Sequence, residues 1–146
     1  MDLVLNKKAV FDYEIVETHE AGIVLSGTEV KSLRHKMGNL KGSWVNTIEG
    51  ELFLLNMHIS PYSHSQKNHP PIQNRKLLMN KKEIIRLENK QREKNCTLVV
   101  TKLFTKGNKI KAELALAKGR KRYEKKQVLK DRDVKRETQK QIKAFK

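Results

Sequence analysis

The chain has 146 residues, with 32 Lys and Arg against 16 Asp and Glu, a formal charge of +16 and an isoelectric point near 10. That length suits one domain with an appendage and can bury a core without metals or cross-links, and the single cysteine, Cys96, excludes a disulfide framework and a multi-cysteine zinc site. No stretch approaches the roughly 20 apolar residues of a membrane span, and residues 1–8 lack the basic leader and apolar run of a secretory signal, so a soluble cytoplasmic protein is expected. Cations at this density repel one another, which a fold tolerates best when a polyanion is its partner. The candidates are nucleic acid, anionic membrane and acidic protein. Membrane binding wants a helix with bulky apolar residues on one face. Four Phe, three Tyr and one Trp in the whole chain make it the weakest of the three.

Taken in chain order, Phe11, Tyr13 and Ile15 alternate with Asp12 and Glu14, the period of a half-buried strand. Ile23-Val24-Leu25 is a short apolar run. Gly27 precedes a helix over Thr28–Met37, with Thr28 as its cap and Val30, Leu33 and Met37 on one face. Ser43–Ile48 and Leu52–Ile59 flank Glu49-Gly50-Glu51 as a hairpin. Pro61–Asn74, rich in Pro, His, Asn and Ser, has no periodicity and reads as a loop. Asn80-Lys81-Lys82-Glu83 has the form of a capping box and opens an amphipathic helix running to Lys94. Thr97–Phe104 and Ile110–Ala117 flank Lys106-Gly107-Asn108-Lys109, a stronger hairpin signal because Gly and Asn tolerate positive φ.

Six or so short strands with two interposed helices predict a mainly β protein with flanking α-helices: a small, closed or partly closed β-barrel of the OB type. The charge is uneven. Residues 1–117 carry a net +7 and residues 118–146 a net +9. The only large apolar residues after Tyr123 are Val128, Leu129, Val134, Ile142 and Phe145, too few to offset ordering entropy, so a tail disordered when free is expected. Val128, Val134, Ile142 and Phe145 form a thin helical stripe, which suits a helix that forms only against a partner.

Enzyme signatures are sparse. His58, His64 and His69 lie near Ser60, Ser63 and Ser65, and a Ser/His pair or histidine nuclease needs a base beside a nucleophile. No carboxylate lies in that segment to orient an imidazole, so these read as loop histidines with no catalytic residue assigned. No Gly-rich phosphate loop, His-Glu-x-x-His or Cys-x-x-Cys occurs, and no cofactor, metal or small-molecule substrate is expected. Two strings suit nucleic acid instead. In Gly27 to Arg34, Glu29 offers an acceptor to base amino groups, and Lys31 and Arg34 offer cations to phosphates; an ordinary first-turn acid facing the helix dipole, beside two solvated bases, fits the spacing equally well. In Ala115 to Tyr123, small residues permit close backbone approach, four cations supply phosphate contacts and Tyr123 can stack.

Several strings in this order resemble the SmpB family of SsrA-binding proteins: Lys8 to Ile15, Glu20 to Leu25, Gly27 to Arg34, His58 to Tyr62, Asn68 to Pro71, Arg75 to Leu78 and Leu116 to Gly119. The resemblance implies an OB-like RNA-binding barrel over residues 1–122 and a basic C-terminal tail over 123–146 that becomes helical on the ribosome. It implies no enzyme. Such proteins bind the tRNA-like domain of transfer-messenger RNA (tmRNA) in trans-translation and carry it to the A site of stalled ribosomes. There the tail probes the empty mRNA channel near the small-subunit decoding centre, and the nascent peptide is tagged for degradation. By motif, the implied RNA-binding residues are Thr28, Glu29, Lys31, Arg34, Lys118, Gly119, Lys121 and Arg122. The implied ribosome-binding tail residues are Tyr123, Lys125, Lys126, Lys130, Arg132, Lys135 and Arg136. Three departures stand out: His35-Lys36-Met37-Gly38 replaces an expected X-Gly-Lys, Trp44 stands where Tyr is commoner, and Tyr123 to Lys126 ends in Lys where Arg is usual.

Overall fold

A computed structural model describes residues 1–119. In chain order the elements are β1 (Asp2–Leu5), α1 (Lys7–Asp12), β2 (Tyr13–Ile23), α2 (Gly27–Arg34), β3 (Gly38–Asn39), β4 (Trp44–Ile48), β5 (Glu51–Leu55), β6 (His58–Ile59), β7 (Arg75–Leu78), α3 (Lys81–Glu93), β8 (Thr97–Lys106) and β9 (Lys109–Gly119). Seven strands form one antiparallel sheet in the order β1-β8-β9-β2-β7-β5-β4, and β3 pairs with β6 separately. The sheet curls until β4 packs against β8, but no ladder joins the β1 and β4 edges. The mainly β, OB-like expectation stands, in its partly closed form.

Both hairpins form at their turn signals. Glu49 and Gly50 take φ of 52° and 79°, and Ile48 pairs with Glu51, so the turn has two central residues and Glu51 belongs to the strand. Gly107 takes φ 63° between the paired Lys106 and Lys109. These two strands are buried on both faces in their middle, as their nearly continuous apolar runs require. Leu98, Val100, Leu103, Leu114 and Leu116 join the main core with Leu33, Leu52, Leu54, Leu77 and Leu87. On the opposite face Val99, Ala115 and Ala117 pack against Ala9 of α1. Fully burying each such Leu contributes about 1.5–3 kcal/mol.

Four local expectations are corrected. Phe11 and Asp12 belong to a short helix and not to a strand, because Asn6 caps it: its Oδ1 accepts from the Ala9 amide at 3.1 Å, and its Nδ2 donates to the Val100 carbonyl at 2.9 Å. The alternation takes hold only from Tyr13. The cap of α2 is Ser26, one residue before Gly27, and not Thr28. That helix also ends at Arg34, short of Met37. Lys36 takes φ 58°, the Lys36 amide donates to Leu33 at 2.8 Å and the Met37 amide to Ser32 at 3.0 Å, the pair of bonds that defines a Schellman stop. Finally, Asn56 at φ 64° divides the stretch Leu52–Ile59 into β5 and β6.

The helix over Lys81–Glu93 forms where expected, but Asn80 caps it singly, not in the expected capping box with Glu83. The Asn80 side chain accepts from the Lys82 amide at 3.0 Å, and Ile84 and Leu87 are its buried stripe. Strands β1, β3 and β7 had no legible signal, being four, two and four residues long.

Candidate nucleic-acid interface

α2 is assembled around a buried carboxylate. Ser26 and Glu29 form a reciprocal capping box: Glu29 Oε1 accepts from the Ser26 amide at 2.9 Å, and Ser26 Oγ accepts from the Glu29 amide at 3.4 Å. Glu29 Oε2 accepts from Gln73 Nε2 at 3.1 Å and from Arg75 Nε. Arg75 is itself buried, and its remaining donors reach the carbonyls of Met57 at 2.6 Å, Pro71 at 3.2 Å and Gln73 at 3.4 Å. The guanidinium is thus satisfied on every nitrogen, as a buried charge requires. Burial pushes the Glu29 carboxyl up, but the Ser26 amide, the Arg75 guanidinium and the Gln73 amide together outweigh it and hold the group below the ordinary carboxylate range.

The expectation of an exposed acceptor at Glu29 is therefore corrected. Glu29 is 2 % exposed, and both oxygens face protein donors. A second buried link lies beside it. His69 Nδ1 is 2.8 Å from Thr28 Oγ1, and its Nε2 is 3.0 Å from the Ile59 carbonyl. A carbonyl only accepts, so Nε2 donates to Ile59, and the Thr28 hydroxyl partners Nδ1. His69 is a structural clamp between α2 and the 60–74 loop. His58 and His64 are exposed, and the three do not converge. Among the described residues no group of three or more His, Cys, Asp or Glu could hold a metal. No described helix is long and apolar enough to cross a membrane.

With its inner face anchored, α2 leaves Lys31 and Arg34 exposed, followed by His35 and Lys36. Lys118 and Gly119, also exposed, lie at the far end of the β2–β9 ladder, where Glu14 pairs with Lys118 and Tyr13 with Gly119. α2 begins beyond Ile23 at the other end, about 30 Å along the strand at 3.3 Å per residue. The two strings singled out from the sequence are two separate cationic regions. Ala115 and Ala117 are small because α1 lies over them, a correction to their reading as room for a ligand. Lys121, Arg122 and the tail residues Tyr123, Lys125, Lys126, Lys130, Arg132, Lys135 and Arg136 lie outside the described residues.

Pairing register also creates a surface that no contiguous string announces. Gly22 sits between Leu78 on one side and Lys111 on the other, and a Cβ at Gly22 would come within 3.1 Å of Leu78 Cβ. His19, Glu20, Asn80, Arg86 and Lys111 line a shallow depression of about 530 Å³ around an exposed Leu78.

A basic, partly closed OB-like sheet with cationic surfaces at separate places defines a nucleic-acid-binding protein of the structural-RNA type. The comparisons name the family. The SmpB protein family matches residues 3–144. An SsrA-binding protein of Carboxydothermus hydrogenoformans is 53 % identical over 140 residues, 95 % of this chain and 94 % of that one. Another, from Persephonella marina, is 49 % identical over 139 residues, 94 % and 91 % of the two chains. A solved structure described as "tmRNA-SmpB: a journey to the center of the bacterial ribosome" shares 44 % identity and a TM-score of 0.69 over 84 % of this chain and 87 % of the other. The chain belongs to the SmpB family.

Proposed function

We propose that the chain is a ribosome-rescue factor: it binds the tRNA-like domain of tmRNA and supports its delivery to the A site of stalled ribosomes in trans-translation. The observation that carries this reading is the match, over 84 % of the chain, to a structure of tmRNA with SmpB. Lys31 and Arg34 on α2, with Lys118, Lys121 and Arg122, supply phosphate contacts, and Gly119 allows close approach of the backbone. Thr28 and Glu29 act by holding α2 in place. The basic segment 123–146, through Tyr123, Lys125, Lys126, Lys130, Arg132, Lys135 and Arg136, engages the small subunit and probes the empty mRNA channel. The work is cytoplasmic binding without catalysis.

The test is a titration at two salt concentrations with three RNAs: a tRNA-like fragment of tmRNA, an ordinary tRNA and an unstructured RNA of equal length. Preference for the tRNA-like fragment that survives high salt is the expected result, since phosphate neutralisation alone decays steeply with salt. Equal binding to all three that collapses with salt would reduce the chain to a generic basic RNA binder. Deleting residues 124–146 is expected to leave RNA affinity largely intact and to abolish tagging on stalled ribosomes. Loss of RNA binding on that deletion would place the tail in the RNA site instead.

A further inference from the structure

The loop that His69 clamps carries a cluster of rings that the rescue reading leaves unused. Tyr62 stacks with His35 at 6.0 Å between centroids and 18° between planes, and it meets His64 edge-on at 5.5 Å and 70°. Lys31 Nζ lies 5.5 Å from the centre of the Tyr62 ring. Lys31, His35 and His64 are all exposed, as are Arg34, Lys36 and Lys67. The two segments that build the cluster, residues 31–37 and 61–69, hold four cations and no Asp or Glu.

The cluster is also held in place. Asn68 grips the backbone of Tyr62 from both sides: its Oδ1 accepts from the Tyr62 amide at 2.7 Å, and its Nδ2 donates to the Tyr62 carbonyl at 3.0 Å. The adjoining Ser60 amide donates to the Met37 carbonyl at 2.9 Å, tying the loop to the end of α2. A ring whose backbone is fixed before binding loses little entropy when it accepts a partner.

We propose that the His35–Tyr62–His64 cluster is a nucleobase-stacking site, which takes one unstacked base of the RNA partner while Lys31, Arg34 and Lys36 hold the flanking phosphates. Every base has a π-face, so rings among cations recognise it without sequence. The absence of acids in both segments suits a phosphate backbone. This inference deepens the rescue reading and depends on it for the identity of the RNA. The sequence concealed it: Tyr62 is 27 residues from His35, and the loop has no periodicity.

The experiment uses the full chain with a short single-stranded RNA bearing 2-aminopurine, and in parallel the tRNA-like fragment. Binding by the parent should quench the fluorescent base. Tyr62→Leu should abolish the quench and weaken RNA binding about 5- to 150-fold, the range for losing one stacked base. Its salt slope should be unchanged, Tyr62→Phe should restore both signals, and Lys31→Ala should instead lower the slope by about one. Asn68→Ala, which releases Tyr62 without touching a ring, should reduce the quench in part. Unchanged quench and affinity in a Tyr62→Leu variant that melts like the parent would overturn the site. If the parent binds the tRNA-like fragment no better than tRNA, the rescue reading falls, and the oligonucleotide quench alone still decides the stacking site.

Discussion

The two ends of the β2 strand hold cations in opposite ways. At the α2 end a charge is turned inward: Arg75 and Glu29 are removed from water, fully hydrogen-bonded, and used to lock α2 to the loop that carries Tyr62 and His69. At the β9 end Lys118 points outward from a strand whose neighbours Ala115 and Ala117 are already covered by α1. One end gives geometry and the other gives charge. A protein that must hold one folded RNA in register needs both, because unanchored charge attracts any polyanion while anchored surface discriminates among them.

The comparison breaks most readily at Glu29. Glu29→Ala leaves the buried Arg75 guanidinium unpaired, and the expected loss is about 3–5 kcal/mol of stability, read in denaturant unfolding. A loss below about 1 kcal/mol would mean that water reaches Arg75 and that α2 is not locked. Any fall in RNA binding by that variant should track its unfolding, in contrast to a direct RNA contact.

A pH series tests a milder ion pair on the same strand. Glu17 Oε2 lies 2.8 Å from Lys90 Nζ, and its Oε1 lies 3.0 Å from His19 Nε2. The Lys90 hydrogen bond, then that of His19, draws the carboxyl from its ordinary 4.5 to about 2. A folded value below the unfolded one means stability present above about pH 4.5 and lost as the pH falls towards 2. Glu17→Gln should therefore flatten the pH dependence of the melting temperature across that window and leave the difference from the parent smallest at the acid end. A parallel pair of curves would show that the Lys90 link contributes nothing.

Lys36→Gly sharpens the anchored side. Position 36 is left-handed, at φ 58°, and a side chain there costs roughly 1 kcal/mol that Gly avoids, so a rise in stability of about that size is expected. The family resemblance expected a glycine at this very position. Gly38 does not substitute for it: a Cβ there would stand 2.7 Å from Leu33 Cδ2, which makes Gly38 a packing requirement and Lys36 a tolerated strain. Smallest in stability is Lys118→Ala, expected to stay within about 0.5 kcal/mol of the parent while lowering the salt slope of RNA binding by about one. An unchanged slope would remove Lys118 from the phosphate contacts.

Most of the chain's local grammar was legible in the residues. Gly107 and Gly50 marked their hairpins because positive φ is a local requirement, and Asn80 announced α3 because a cap needs only the next turn of backbone. The surplus of cations and its implication of a polyanion needed no structure at all. The errors fell where a distant partner overrode local pattern. Phe11 and Asp12 continue a perfect alternation, yet Asn6 anchors them into a helix through the Val100 carbonyl, 94 residues away. Glu29 carries every local sign of an exposed first-turn acid, and its fate is decided by Arg75, 46 residues on. Propensity, caps and turn chemistry act over three or four residues and can be read from them. Burial of a charge depends on which strand register brings its counter-charge alongside, and that is a property of the folded sheet alone.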